Sequence, residues 1–187
     1  MNENDMMLGR DWDCTCNLAG WHLSEKLHGC HDYWDGRRFW TRRGNIVRNV
    51  PERILSAMPR VHLDGEMFAG YGQFEAARLA VECGIWTDSV EFVCFDMPQA
   101  DGDWSNRIAL ASAFYPHIVK HWIAQSSQHA VDLMFDVCAA GGEGLMAAKP
   151  GATYQPGRTN FLRKLKPAFV NTVPSWMQSM DFTFDSQ

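Results

Sequence analysis

The sequence predicts a single α+β domain with a largely antiparallel sheet core flanked by helices. The chain has 187 residues, of which 46% are hydrophobic and 21% charged, as is typical of one globular domain. Strand-like and helix-like runs follow one another without the strict β-α alternation that a parallel sheet requires. No apolar run approaches the roughly 18 residues of a membrane span, and the acidic start MNENDMMLGRDWD lacks an export signal pattern. We therefore expect a cytoplasmic protein with no membrane partner.

Short strands and helices are predicted in the first half of the chain. Strands are expected at GWHLSEK, in the two halves of CHDYWDGRRFWTRRGN, and at RVHLDGEMFAG. The Asp35-Gly36 pair is a strong hairpin signal between the second and third of these strands. Helices are expected at PERILSAM, where Pro51 suits a first turn, and at QFEAARLAVECG, which Gly84 would end.

Three longer helices, with strands before and after them, are predicted in the second half of the chain. SVEFVCFDMP is rich in β-branched and aromatic residues and predicts a strand closed by Pro98. Helices are expected at DWSNRIALASAFY, HIVKHWIAQ and AVDLMFDVCAAGG. The last carries Val131, Met134, Phe135 and Cys138 on one predicted face. EGLMAAK and FLRKLKP predict two final strands.

The six cysteines predict reduced thiols rather than a disulfide framework. They are scattered, and most lie in apolar segments, as in proteins of a reducing compartment. The Cys14-Thr-Cys16 spacing, even with His22 and His31 nearby, fits no common zinc module.

Charge is distributed unevenly along the chain. The formal net charge of −5 argues mildly against a strong, nonspecific nucleic-acid binder. Two basic clusters nevertheless stand out, one of six arginines between residues 37 and 53 and one between residues 158 and 166. A polarised surface is therefore expected.

Ionisable residues recur at a spacing of two within predicted strands. Asp64 and Glu66 share one strand face, and Lys164 and Lys166 share another, because side chains alternate along a strand. Each pair could be the solvent face of a half-buried sheet, or the pairs could line a polar cleft. Lys26 in SEKLHG is likewise either an ordinary solvated cation or a nucleophile.

If these groups share a cleft, they suit attack by lysine on a nucleotide phosphate. Cations such as Lys164 and Lys166 would favour the neutral amine of Lys26 and stabilise charge that builds on the phosphate. Glu143 could hold Mg²⁺, and Phe95 could stack on a nucleobase.

Six motifs in order resemble the nucleotidyltransferase domain of ATP-dependent DNA ligases, particularly the small bacterial and viral enzymes. EKLHG is similar to the nucleophile motif, and WDGRRFWTRRGN to the hairpin that follows it. LDGEMFAGYGQFE, FVCFD, GGEGLMAAKP and GRTNFLRKLKP are similar to the remaining four. The resemblance runs from about residue 21 to residue 167 and implies one nucleotidyltransferase domain over residues 1–187, with a core at about 20–170.

The resemblance implies a role for each residue that matches a motif. Lys26 would carry AMP from ATP, while Lys164 and Lys166 would hold the α-phosphate. The remaining implied contacts are Ser24 and Glu25 flanking the adenine, Glu66 on the ribose, Phe95 stacked on the base, Glu143 on Mg²⁺ or Mn²⁺, and Arg42, or more weakly Arg48, on the 5′-phosphate of the nick. The implied activity is nick sealing through lysyl-AMP and DNA-adenylate, in the replication or repair of double-stranded DNA.

The sequence also departs from the family pattern. His28 replaces the usual aspartate, as in many RNA ligases. His31 replaces an arginine, which would shorten the reach to a phosphate and make the contact pH-dependent. The 21 residues after Lys166 are too few for an OB-fold domain, whose task a partner protein could take over. An RNA ligase or capping-type nucleotidyltransferase, or a catalytically weak protein that binds nicks, therefore remain alternatives.

Overall fold

The computed structural model describes residues 5–170, which form two β-sheets with helices packed against them. The strands are β1 (Met7–Asp11), β2 (His22–Glu25), β3 (Cys30–Trp34), β4 (Phe39–Thr41), β5 (Leu63–Phe68), β6 (Glu91–Asp96), β7 (His121–Ile123), β8 (Leu145–Ala148) and β9 (Gly157–Leu165). The helices are α1 (Glu52–Leu55), α2 (Phe74–Arg78) with a π-helical continuation (Leu79–Cys83), α3 (Trp104–Phe114), α4 (Ser127–Ala139) and α5 (Pro167–Val170).

Both sheets are mainly antiparallel. The larger sheet has the strand order β1-β9-β8-β2-β7, in which β1 lies parallel to β9 and every other pair is antiparallel. The smaller sheet has the order β4-β3-β5-β6 and is antiparallel throughout. The predicted α+β class with largely antiparallel sheets is therefore confirmed.

Each sheet has its own apolar core. Leu63, Met67 and Phe92 of the smaller sheet are fully buried, together with side chains from α2 and α3. Leu23 and Leu145 of the larger sheet are fully buried in a second core, to which α4 contributes. Burial of such apolar side chains is the main driving force of folding, so each sheet is stabilised largely by its own helices.

The predicted hairpin lies between β3 and β4. The carboxylate of Asp35 accepts hydrogen bonds from the backbone N–H groups of Arg37 (2.9 Å) and Arg38 (2.8 Å). Gly36 has a φ of +84°, a conformation that side chains other than glycine rarely adopt. The turn therefore projects two arginines at its tip.

Gly84 ends the helix after β5, as predicted. Its φ of +68° lies in the left-handed region, and its N–H donates to the carbonyl of Ala80 at 3.0 Å. The last turn before it, Leu79–Cys83, is π-helical, which the sequence pattern did not predict.

Three expectations differ from the structure. HIVKHWIAQ is not a helix: His121–Ile123 forms edge strand β7, in which His121 lies opposite Ser24. Phe135, predicted on the buried face of α4, is 44% exposed, whereas Met134 is buried as predicted, with Ala130 beside it on that face. Residues Met7–Asp11, for which no element was predicted, form β1 along the edge of β9.

No helix within residues 5–170 is long and apolar enough to cross a membrane. The segment after Lys166, which the sequence suggested was too short for an OB-fold, lies mostly outside the described residues.

Candidate active site

A cavity of about 1460 Å³ is lined by residues of both sheets. Ligand pockets in proteins commonly measure about 300–1,000 Å³, so a nucleoside triphosphate has ample room. The larger sheet contributes Ser24, Glu25 and Lys164 to its wall, while Lys26 follows directly after β2 and Lys166 directly after β9. The smaller sheet contributes Glu66 and Phe95.

Two lysines from opposite ends of the chain meet at one carboxylate. The Nζ of Lys26 lies 2.5 Å from Oε2 of Glu143, and the Nζ of Lys166 donates to Oε1 of the same carboxylate. The backbone N–H of Lys26 donates to the carbonyl of Gly144 at 2.9 Å, which holds the two segments side by side. The structure thus brings the predicted lysines together in one cleft rather than on separate solvent-exposed faces.

The charge state of Glu143 depends on Lys166 and Lys26. Burial alone would raise the pKa of Glu143, but the hydrogen bonds and charges of Lys166 and Lys26 outweigh it and hold the pKa below its usual value. Burial lowers the pKa of Lys164; Asp11, 4.0 Å away, opposes this shift, and the nearby cations reinforce it. Glu143 is therefore an ionised carboxylate held between two lysines.

The acidic pair of β5 faces the cavity but is held in two different ways. Oε1 of Glu66 accepts a hydrogen bond from the N–H of Gly29 at 3.0 Å. Burial raises the pKa of Glu66 to about 7, with His31 and Lys26 partly opposing the shift. Asp64 is fully buried, and its two oxygens bind His31 and Tyr154.

Phe95 presents an aromatic ring to the cavity. Its ring packs against that of His31 at 5.2 Å between centroids, with the two planes inclined by 63°. Its carbonyl accepts a hydrogen bond from the indole N–H of Trp104 at 2.8 Å, which fixes the end of β6. A nucleobase is the kind of ligand that stacks on such a ring.

Ser24 and Glu25 are both buried beside the lysine. Oε1 of Glu25 is inaccessible to solvent and has no hydrogen-bond partner among the described residues. An unsatisfied buried acceptor costs free energy, so the burial of Glu25 is destabilising in this structure.

The predicted DNA-contacting arginines lie where the cavity opens. Arg42 and Arg48 both line it and are exposed. The backbone N–H of Arg42 donates to the carbonyl of His31 at 3.2 Å, and the carbonyl of Arg48 accepts from Trp86 at 3.1 Å. Their main chains are thus anchored near the cleft.

The two histidines that depart from the motifs make local contacts. His28 stacks on Phe74, with centroids 4.6 Å apart and planes inclined by 13°. His31, expected to reach a phosphate, instead places Nε2 2.6 Å from Oδ1 of Asp64. Burial would lower the pKa of His31, but the charge of Asp64 outweighs it, so the pKa is raised.

The donor set fits ATP better than it fits a metal ion alone. The three lysines suit phosphates, the carboxylate of Glu66 suits ribose hydroxyl groups, and the ring of Phe95 suits a base. Among residues 5–170 there is no cluster of three histidine, cysteine, aspartate or glutamate side chains that could hold a metal. Glu143 fits Mg²⁺ only together with phosphate oxygens and water, as is usual for this ion.

The sequence patterns missed two residues that contact carboxylates lining the cavity. Tyr154, from the loop between β8 and β9, donates its hydroxyl hydrogen to Oδ2 of Asp64 at 2.6 Å. Arg107 forms a bidentate pair with Asp96, at 2.7 and 2.9 Å. A lone tyrosine in a loop and an arginine in an apolar helix carry no spacing signal that would have marked them.

Comparison with known proteins points to one family. No protein-family model matches the chain. The DNA ligase of Haemophilus influenzae is 28% identical over 160 residues, which cover 81% of this chain and 59% of that relative. The chain thus spans less than two thirds of the length of this relative.

Solved structures of DNA ligases share the fold. A Lig E DNA ligase matches with a TM-score of 0.75 and 28% identity, over 86% of this chain and 68% of that one. The Chlorella virus DNA ligase-adenylate matches with a TM-score of 0.73 and 20% identity, over 87% and 67%. The chain therefore resembles ATP-dependent DNA ligases in sequence and has the fold of their nucleotidyltransferase domain.

Proposed function

We propose that this chain is an ATP-dependent DNA ligase that seals nicks in double-stranded DNA through a covalent lysyl-AMP. The single observation that carries the proposal is the meeting of Lys26 and Lys166 at Glu143 inside a cavity that Lys164 also lines. An amine beside several cations in a roomy cleft is the arrangement that attack on a nucleotide phosphate requires.

In the proposed first step, Nζ of Lys26 forms a bond to the α-phosphorus of ATP. The bond between that phosphorus and the bridging oxygen breaks, and pyrophosphate leaves with the electron pair. The ammonium group of Lys26 loses one proton to become a nucleophile and a second as the N–P bond forms; both pass to solvent, and one hydrogen stays on the nitrogen. Lys164 and Lys166 would hold the α-phosphate and stabilise the charge that builds on it. AMP would then pass to the 5′-phosphate of the nick, and the 3′-hydroxyl would displace it.

The nucleoside would lie against the smaller sheet. Phe95 would stack on the adenine, whose edge would approach Ser24 and Glu25, and Glu66 would accept hydrogen bonds from the ribose. This placement is supported by the fact that Ser24 and Glu25 line the same cavity as Phe95 and Glu66.

Metal and DNA would lie on the open side of the cleft. Bound Mg²⁺ or Mn²⁺ would neutralise the triphosphate, with Glu143 among its neighbours. Arg42, or Arg48, would contact the 5′-phosphate of the nick, and the arginines of the β3–β4 hairpin extend the basic surface. We further propose that the motif-bearing residues form one nucleotidyltransferase domain that works in the cytoplasm.

Covalent labelling tests the proposal. Incubation with α-³²P-ATP and Mg²⁺ should label the protein, and Lys26→Ala should abolish the label. Lys149→Ala is the matched control, because Lys149 is an exposed lysine that lies over the ring of Phe161, outside the cavity. Label that persists in Lys26→Ala would remove Lys26 from its role.

Two further comparisons separate the alternatives. Labelling by GTP alone would favour a capping-type enzyme, and sealing of nicked RNA but not nicked DNA would favour an RNA ligase. Binding to nicked DNA without any labelling would indicate an accessory protein. The proposal expects ATP labelling and sealing of nicked DNA.

A further inference from the structure

The hydroxyl of Tyr154 joins segments of the two sheets beneath the cavity. It donates to Oδ2 of Asp64 on β5 at 2.6 Å and accepts from the N–H of Met7 on β1 at 2.8 Å. Tyr154 itself belongs to the loop between β8 and β9. One oxygen atom therefore links the strand pair β1–β9 of the larger sheet to the centre of the smaller sheet.

Asp64 connects the hydroxyl of Tyr154 to groups that line the proposed nucleotide site. Its other oxygen lies 2.6 Å from Nε2 of His31, whose ring packs against Phe95. Glu66 follows two residues later on the same strand and faces the same cavity. Asp64 is fully buried, so removal of the hydroxyl takes from Oδ2 the hydrogen bond that it has in the structure.

The ring of Tyr154 is held independently of its hydroxyl. The guanidinium of Arg107 lies 5.8 Å from the ring centroid, and Nη1 of Arg107 donates to the carbonyl of Ala152 at 3.1 Å. The bidentate pair with Asp96 in turn fixes Arg107. Replacing tyrosine by phenylalanine therefore removes one hydroxyl and leaves the anchor of the loop in place.

We propose that Tyr154 is a positioning residue for the ATP site. Its hydroxyl sets Asp64, and through Asp64 it places Phe95 and Glu66 at the correct distance from Lys164 and Lys166. The inference rests on the proposed function, since it assigns the nucleoside to Phe95 and Glu66. It adds a residue that none of the six motifs contains.

The test compares Tyr154→Phe with Tyr115→Phe. Tyr115 also buries a hydroxyl, but this hydroxyl donates at 2.8 Å to the carbonyl of Phe92, which, unlike Asp64, does not line the cavity. We expect Tyr154→Phe to weaken ATP binding about tenfold, the effect of losing one hydrogen bond to a charged group. Tyr115→Phe should change stability to a similar extent and leave ATP affinity unchanged. Equal ATP affinity in wild type and Tyr154→Phe would overturn the inference.

A double variant tests whether the hydroxyl acts through Asp64. If it does, Tyr154→Phe should weaken ATP binding no further once Asp64→Asn is present, because the two changes interrupt one connection. Effects that add fully would show that Tyr154 acts by another route, and would overturn the inference.

Hydrogen exchange separates this inference from the ligase proposal. Without nucleotide, the amides of β5 should exchange about tenfold faster in Tyr154→Phe than in Tyr115→Phe. If wild type neither binds ATP nor takes label, the ligase proposal fails and the functional role of Tyr154 fails with it. Exchange in β5 then still decides whether the hydroxyl holds the strand, and equal rates would refute that as well.

Discussion

Asp32 is an acidic side chain that the structure leaves without a partner. It lies in the middle of β3, between Gly65 of β5 and Thr41 of β4, and it is fully buried. Neither of its carboxylate oxygens has a hydrogen-bond partner among the described residues. A buried carboxylate in this state is costly when ionised, so it should make stability depend on pH.

The sign follows from the folded-state pKa. Burial raises the pKa of Asp32 well above its usual value, although the charge of His31 partly opposes the shift. The folded protein therefore retains a proton that the unfolded chain releases near pH 4. Between that pH and the raised pKa, the folded state binds more protons, so its stability falls by about 1.4 kcal/mol for each pH unit.

Asp32→Asn isolates this contribution. Asparagine has nearly the same shape and cannot ionise, so the variant should gain about 1.4 kcal/mol over wild type per pH unit within that window. Urea unfolding of both proteins at pH 5, 6, 7 and 8 measures the difference. Asp136→Asn, an exposed change on α4, controls for the altered net charge. A difference between Asp32→Asn and wild type that stays constant with pH would refute the reasoning.

Two further perturbations test the other buried acids. Since burial raises the pKa of Glu66 to about 7, its carboxylate ionises as pH rises through 7, so ATP affinity should increase between pH 6 and pH 8 in wild type. Calorimetry should find this increase absent in Glu66→Gln, and an equal increase in the variant would rule out Glu66 as its source. Arg107→Met should destabilise the fold by about 3–5 kcal/mol in urea unfolding, because it leaves Asp96 buried and unpaired. A loss below about 1 kcal/mol would contradict that account.

Local sequence signals predicted most of the strands and the motifs that contain the site residues. The turn at Asp35-Gly36 and the helix end at Gly84 depend on backbone conformations that few residues adopt, so the residue types alone predict them. The alternation that places Asp64 and Glu66 on one face is likewise a property of a single strand. These features need no knowledge of the rest of the chain.

The errors come from pairing between distant segments. His121–Ile123 has helix-compatible neighbours, but it completes the sheet edge beside β2, and this pairing outweighs local preference. β1 is a strand because β9 offers a parallel partner about 150 residues later in the chain. The contacts of Tyr154 and Arg107 depend on the same long-range assembly, so no spacing rule could have found them.

The two sheets divide the proposed chemistry between them. The larger sheet and its adjoining loops carry Lys26, Glu143 and Lys166, which would act on phosphorus, while the smaller sheet carries Glu66 and Phe95, which would hold the nucleoside. The two cores lie mainly in separate sheets, although Ala148 of the larger sheet packs in the core of the smaller one. A change at the polar junction between them should therefore weaken nucleotide binding without altering the lysine cluster, whereas loss of Glu143 should slow transfer from nucleotide that still binds.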